Sequence, residues 1–371
     1  MCPFCTPSSG ENKALWGLVK SNEGIPQYIA GSQWYADNLL WDVFLIENAR
    51  PILANPDDEE VRLPSWRGKG PFHAIDAQGK CDVILIGGRQ DTNGSRNVED
   101  KDGTPKRTLN NLHRPLAGRD GLGEKYIQLA LYALVGRFHG TQVFNGTDLG
   151  KGIVRSDESI PGPAIKHVIV FSNYGQQAGS RWAHANWQVM GSPIIPSEIA
   201  RELAHSKAYY EENSGRCCFC DMLAAEIERM TEEDPGRLIF PDSPEKAKAA
   251  DFVVLAPFAA RVPFELWILP RKHQASIVDI KETKPMDPLA TAINEALGKL
   301  ADRVNNPAYS LVIKNAPVAP KEQGDLYAHY HWRIVIEPQR LAIAAGYEHL
   351  TGIWSNPTPP EECAKWLRKK G

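Results

Sequence analysis

The stretch FSNYGQQAGSRWAHANWQ (171–188) carries an Asn-x-Gly turn, a second glycine at Gly179, and ends in His184-Ala-Asn186-Trp-Gln188. Side chains alternate across an extended segment, so His184, Asn186 and Gln188 fall on one face and Ala185 and Trp187 on the other. One imidazole and two carboxamides in a row can supply a metal ligand and two polar groups aligned with a phosphate. Cysteines carry the rest of the chemistry. Cys2 and Cys5 form one C-x-x-C pair, and Cys217 and Cys220, in the run CCFC, form a second. Behind each pair come, in the same order, a lone histidine after a strand and loop, a helix, and a strand bearing another histidine. The resulting sets are Cys2, Cys5, His113 and His184 in the first half, and Cys217, Cys220, His273 and His331 in the second. Two thiolates and two imidazoles close a tetrahedral shell, which suits zinc in a structural rather than a catalytic role. Three substitutes stand near these sets: His139 for His113, His329 for His331, and Cys218 for Cys217.

Positioning such ligands takes two similar folding units, and the repeated order predicts an internal duplication. Residues 1–205 form the first module and 206–371 the second. Apolar runs predict strands over 39–46, 81–86 and 167–171 in the first half. In the second half they predict strands over 252–255, 264–269, 310–314 and 331–336. Helical periodicity covers 126–138, 223–229 and 288–304, with further helices after Pro193 and from near Pro359. The polar residues 87–111, rich in glycine and in both charges, read as a surface insertion or lid. Trp182, Trp187, Trp267 and Trp332 sit on strands and read as core.

At 371 residues the chain can bury two cores. Its formal net charge of −3 gives no electrostatic reason to expect nucleic acid or an anionic membrane as a partner. No apolar run approaches the roughly 20 residues that a membrane helix needs. No secretory leader is evident, and cysteines grouped in C-x-x-C pairs point to metal in a reducing compartment, with the cytoplasm as the default.

Taken together, CPFC, the IENARP loop, SNYGQQAGSRWAHANWQ, CCFC, APFAARVPFELWILPRKH, HYHWRIVIEP and AGYEHLTGIWSNP resemble one family over nearly the whole chain. The chain is similar to the galactose-1-phosphate uridylyltransferase branch of the histidine-triad superfamily, with its ADP-sugar phosphorylase relatives. That resemblance implies an α+β fold of two tandem modules, each an antiparallel sheet with packed helices. It also implies a homodimer and a nucleotide or sugar-phosphate substrate. It assigns zinc to the first Cys/His set and a second zinc, or iron, to the other, with Glu202 at the place where some members use a glutamate for that metal. By the same resemblance Asn48 serves base and ribose, Asn173 and Gly179 the phosphates, Gln188 the phosphate oxygens and Glu348 the hexose hydroxyls.

One departure changes the expected chemistry. The family uses His-x-His-x-Gln, whose second histidine attacks the α-phosphorus and carries the nucleotide; here that position is Asn186, and a carboxamide is no such nucleophile. Arg181 replaces a small serine that contacts the phosphate, adding a permanent cation. In the second half Arg333 stands where a nucleophile would lie, and His329 is an unassigned imidazole able to act as acid or base. The expectation is a nucleotidyltransferase-like enzyme of nucleotide sugars that acts without a covalent nucleotidyl-histidine, with Asn186, Gln188, Arg181 and His329 around the reaction and Arg333 on the substrate. A lyase or isomerase of altered chemistry and a non-catalytic sugar-nucleotide binder are the alternatives.

Overall fold

Short runs of β-branched and aromatic residues separated by two long apolar-faced helices set the architecture. A computed structural model describes residues 14–19, 27–30, 43–47, 80–86, 97–99, 105–107, 116–118, 121–139, 165–180, 184–231, 234–280, 286–318, 326–338 and 346–369. In chain order the first part comprises β1 (Ala14–Val19), β2 (Gln27–Ala30), β3 (Val43–Glu47), β4 (Lys80–Ile86), β5 (Asn97–Glu99), β6 (Pro105–Arg107), α1 (Glu124–His139), β7 (His167–Tyr174) and β8 (Asn186–Ser192). Then follow α2 (Ser197–Glu212), α3 (Cys218–Glu228), β9 (Leu238–Phe240), α4 (Pro244–Ala249), β10 (Phe252–Leu255) and β11 (Leu266–Pro270). The chain continues with α5 (Met286–Arg303), β12 (Tyr309–Lys314), β13 (Arg333–Pro338), α6 (Gly346–Thr351) and α7 (Pro360–Arg368).

Eleven strands form one sheet in the order β2-β1-β3-β4-β8-β7-β12-β13-β11-β10-β9, with antiparallel neighbours throughout. The order β3-β4-β8-β7 repeats as β10-β11-β13-β12, with α1 between β4 and β7 and α5 between β11 and β12. Each half is thus the same four-strand, one-helix unit. The two meet edge to edge where β7 pairs with β12, from Tyr174 opposite Tyr309 to Val170 opposite Ile313. The expected division between residues 205 and 206 falls inside α2, whose carboxylates reach across to the second half.

Helices α1 and α5 pack on one face of the sheet. Ile127, Leu131 and Leu134 of α1 and Leu289, Ile293 and Leu300 of α5 are buried in a single cluster with strand residues from both halves, including Ile84, Val170, Trp187, Leu311, Trp332 and Ile336. Burying each such side chain contributes about 1.5–3 kcal/mol relative to exposure. A buried ion pair, Arg137 Nε to Asp82 Oδ2 at 2.6 Å, pins α1 to β4. Strand β12 shows the alternation this packing imposes: Tyr309, Leu311 and Ile313 are buried, while Ser310, Val312 and Lys314 turn to the other face. On that second face, α3 covers part of the sheet, with Leu223 and Ile227 over Val253, Leu255 and Leu269. Beside it the face mixes Phe171, Val312 and Val335 with the polar Asn173, Gln188, Lys314 and Arg333.

Several boundaries differ from expectation. His184 and His331 stand just ahead of β8 and β13 rather than within them. Each therefore belongs to a loop–strand junction, where a side chain can turn toward a neighbouring loop without breaking a ladder. Within the polar insertion, β5 and β6 pair as a short hairpin.

Candidate metal centre and phosphate-facing strands

The sulfur and nitrogen atoms of Cys217, Cys220, His273 and His331 all lie within 4.8 Å of one another. Cys220 Sγ is 3.4 Å from Nδ1 of both His273 and His331, and Cys217 Sγ is 4.0 Å from His331 Nδ1. Bonds of about 2.0–2.3 Å to a tetrahedral metal give ligand–ligand edges of roughly 3.3–3.8 Å. The donor set and its spacing therefore fit zinc. His331 Nε2 donates to the Pro270 carbonyl at 2.9 Å, which leaves the Nδ1 lone pair aimed at the cluster.

Local structure explains the convergence. Cys217 caps α3 in an extended conformation, so one helical turn separates it from Cys220. The helix N-terminus favours a thiolate there. Hydrogen bonds from the Cys218 and Cys220 thiols hold the Cys217 thiol well below its usual range, while their contact with Cys217 pushes Cys218 and Cys220 up. Bonding to Cys217 raises His273. His273 follows β11 in a loop tied down twice: Trp332 N–H donates to the Gln274 carbonyl at 3.0 Å, and Ala316 N–H to the Ala275 carbonyl at 3.0 Å. Cys217 and His331 are buried, and His273 is exposed on the solvent side.

A dense charge network lies beside the cluster on the polar face. Arg333 is 2% exposed. Its Nη2 donates to Glu202 Oε1 at 2.8 Å, and its guanidinium lies 4.7 Å from the Phe219 ring centroid and 4.5 Å from that of Trp267. Glu202 also accepts from Lys314 Nζ at 2.6 Å and from Tyr330 OH at 3.0 Å. Its carboxylate is engaged by these cations and is not in the Cys/His group. Burial alone would raise Glu202, but Arg333 and Lys314 hold it below its ordinary value. Glu198, one turn earlier on α2, accepts from Lys314 at 2.8 Å and from Arg261. Burial opposes ionisation there too, yet these hydrogen bonds bring its carboxyl down to about 2. Glu337 goes the other way, pushed up by burial and then by the neighbouring Glu265 carboxylate.

In the first half, Phe171 pairs with Gln188 across β7 and β8, so Asn173 and Asn186 follow one step along on the same face. Gly179 adopts φ +81°, a left-handed conformation that favours glycine, and a Cβ added there would lie 3.8 Å from Asn173 Nδ2. The turn thus brings the Gly179 backbone beside the Asn173 amide. Gly175, also at φ +81°, passes so close to Ala308 that a Cβ would meet its methyl at 2.7 Å. Asn186 is buried, and its Nδ2 donates to the His184 carbonyl at 2.8 Å. His184 is 1% exposed. Cys2, Cys5, Asn48, His113 and Arg181 lie outside the described residues.

His329 meets the rings of Tyr210 and Tyr327 edge-on, with centroids at 6.4 and 6.3 Å, and burial followed by Lys207 lowers its pKa. Glu348 lies on α6, where Tyr347 and Leu350 are exposed. Sequence reasoning missed Glu198, Lys314, Arg261 and Glu337. Glu198 and Glu202 sit four residues apart on one helix face, and Lys314 and Glu337 occupy alternate strand positions that break apolar runs; those were the available signals.

No protein-family model matches the chain. It is 32% identical to the ADP-glucose phosphorylase of Arabidopsis thaliana over 206 residues, which make up 56% of this chain and 52% of that protein. The match spans about half the length of that relative. Against the galactose-1-phosphate uridylyltransferase of Thermotoga maritima it is 23% identical over 338 residues, covering 89% of this chain and 85% of the relative. The chain is a homologue of these two enzymes. The structure of the Arabidopsis ADP-glucose phosphorylase with bound ADP-glucose aligns with a TM-score of 0.62 at 25% identity, over 89% of this chain and 83% of that one. A galactose-1-phosphate uridylyltransferase-like protein from the same plant gives 0.61 at 25% identity. The two-unit antiparallel architecture is therefore the fold shared with these two solved structures. No helix among the described residues is long and apolar enough to cross a membrane.

Proposed function

We propose that the chain is a nucleotidyltransferase-like enzyme of nucleotide sugars that transfers the nucleotidyl group in a single displacement. The observation that carries this reading is Asn186: in a homologue of phosphoryl-transfer enzymes, the residue two positions beyond His184 is a carboxamide, tied to the His184 carbonyl. An amide nitrogen conjugated to its carbonyl has no available lone pair, so it cannot form the nucleotidyl bond that imidazole forms. Transfer then needs the second substrate to attack directly. An oxygen of inorganic phosphate or of a sugar 1-phosphate forms a bond to the nucleotidyl phosphorus, and the bond from that phosphorus to the bridging oxygen breaks. The leaving group departs as sugar 1-phosphate, and the nucleotidyl group ends on the attacking oxygen. In this reading Asn173 and the Gly179 backbone hold the phosphates, Gln188 orients an equatorial oxygen, and Arg181 balances the developing charge. Asn48 holds the nucleoside, and Glu348 the hexose hydroxyls.

The Cys217, Cys220, His273 and His331 set would hold zinc, and Cys2, Cys5, His113 and His184 a second ion. Four protein ligands leave no open position, so both ions serve architecture. We place the enzyme in the cytoplasm as a homodimer. A second reading, a sugar-nucleotide binder without turnover, is favoured by the inward turn of the Asn186 amide.

Stereochemistry at phosphorus separates single from double displacement. With a nucleotide sugar made chiral at the transferred phosphorus, one in-line displacement inverts configuration and two restore it. Inversion, with no nucleotidyl adduct on the intact protein by mass spectrometry, is the expected result. Retention, or an adduct, overturns the reading; absence of any product with bound substrate favours the binder.

A further inference from the structure

Arg333 touches every element that carries the Cys/His cluster. Phe219, whose ring centroid is 4.7 Å from its guanidinium, lies within the C-x-x-C turn and immediately precedes Cys220. Trp267, 4.5 Å from the same guanidinium, belongs to β11, the strand that leads into His273, and its ring lies 6.3 Å from that of Phe219 at a tilt of 51°. Arg333 itself opens β13 two residues after His331. Its Nη2 holds Glu202 of α2, the helix that feeds the chain into Cys217. The Phe219 ring also packs near the His331 imidazole, with centroids 6.2 Å apart.

Stability does not explain such a residue. Its Nε and Nη1 are buried without a hydrogen-bond partner among the described residues. An apolar side chain of similar volume commonly serves a buried site as well as an ion pair does or better, so the pair with Glu202 is by itself a weak reason for an arginine here. A cation in reach of two adjoining ring faces is attracted to both and holds the pair together, which an aliphatic side chain does not.

We propose that Arg333 is a positioning residue for the Cys217, Cys220, His273 and His331 centre, clamping Phe219 of the C-x-x-C turn against Trp267 of β11 so that the thiolates meet the two imidazoles before metal arrives. The proposal rests on the reading of that cluster as a metal centre. It also gives Arg333 a role distinct from substrate contact: the residue is 2% exposed, and its Nη2 is engaged by Glu202.

The test measures zinc affinity by competition with a chromophoric chelator and the visible d–d spectrum of the cobalt-substituted full-length protein. Arg333→Met fills the slot without the planar cation, and Glu202 keeps Lys314 and Tyr330, so no carboxylate is orphaned. Zinc affinity should fall roughly 10–100-fold, the usual cost of losing an outer-shell contact, with a broadened or shifted cobalt spectrum. Phe219→Leu, which removes one face of the clamp and keeps Arg333, should do the same and serves if Arg333→Met fails to fold. Lys314→Met removes a partner of Glu202 without touching either ring and should leave both readouts at wild-type values. Wild-type affinity and spectrum in folded Arg333→Met and Phe219→Leu would overturn the clamp, as would an equal loss in Lys314→Met. If the wild-type protein binds neither ion, the metal-centre reading itself fails, and the wild-type arm alone reveals it.

Discussion

Asn186 turns its Nδ2 onto the His184 carbonyl at 2.8 Å, and Ser172 Oγ donates to the Asn186 carbonyl at 2.8 Å, so the residue is held from both sides. Replacing it with histidine puts an imidazole on the same face as Asn173 and Gln188. Asn186→His, mixed with a nucleotide sugar, should therefore gain a covalent nucleotidyl adduct, seen as an added nucleoside monophosphate mass that wild-type lacks. No adduct in a variant that still binds the nucleotide sugar would show that the surrounding phosphate site no longer presents phosphorus to position 186. A second residue sets an acid limit on the fold. His167, 2% exposed at the start of β7, has its pKa lowered to about 4 by burial. The unfolded chain binds this proton near pH 6.5 and the folded chain only near 4, so stability is intact above 6.5 and is lost as pH falls through that window. The full loss is about 3 kcal/mol, from 1.36 kcal/mol per unit of pKa. His167→Phe should be less sensitive: its stability relative to wild-type, by urea titration, should rise by about that amount between pH 7 and pH 4. Equal acid sensitivity in the two proteins would contradict the buried neutral imidazole. The Cys217–Cys220 pair and the order of His273 and His331 behind it were legible because ligand identity and order survive in sequence. The partners of Arg333 were not, since Phe219, Trp267 and Glu202 lie on three other elements far earlier in the chain, Glu202 131 positions before it.

At the scale of elements, three junctions build the centre: the N-terminus of α3, the loop after β11 and the entry to β13. Each is short and fixed by backbone bonds, so the ligands depend on element ends rather than on element interiors. Sequence patterns locate interiors well. The long helices α1 and α5 and strands β10 to β13 matched their apolar periodicity, whereas β9, α4 and α6 were too short to show any. Ends are decided by tertiary bonds, which is why His184 and His331 were placed on strands they only precede. Loss of one ligand should loosen all three junctions together. Cys220→Ser is expected to lower bound zinc by one equivalent per chain and to reduce Tm by several degrees, the consequence of losing metal-linked folding free energy. Unchanged zinc content would remove Cys220 from the ligand set.

Across the whole molecule, the repeated strand order makes β7 and β12 the seam of two similar units, and the core does not stop there. Leu131 of α1 and Leu297 of α5 share one buried cluster with strands of both halves. Gln128 of α1 donates to Asp287 of α5, and Thr291 Oγ1 donates to Glu124 Oε1 at 2.6 Å. Two units fused through a continuous sheet and a common core should unfold together. Calorimetry of the metal-loaded protein is expected to show one transition; two well-separated transitions would mean that the halves are independent domains. The sequence showed the duplication through its repeated ligands, but not the fusion of the sheets, because strand pairing between halves leaves no mark in either half's own pattern. The same architecture sets one candidate phosphate face in the first half and fills the equivalent region of the second with Arg333 and its partners.

Phosphorus NMR of the metal-loaded protein with a panel of nucleotide sugars, with and without inorganic phosphate, addresses the central claim most directly. Direct transfer predicts that resonances of a nucleoside diphosphate and a sugar 1-phosphate grow in at enzyme-dependent rates when phosphate is present, or those of a new nucleotide sugar when a second sugar 1-phosphate is present, and that neither grows in without an acceptor. Resonances that broaden but never change identity, with phosphate or a sugar 1-phosphate added, would contradict it and make the protein a binder.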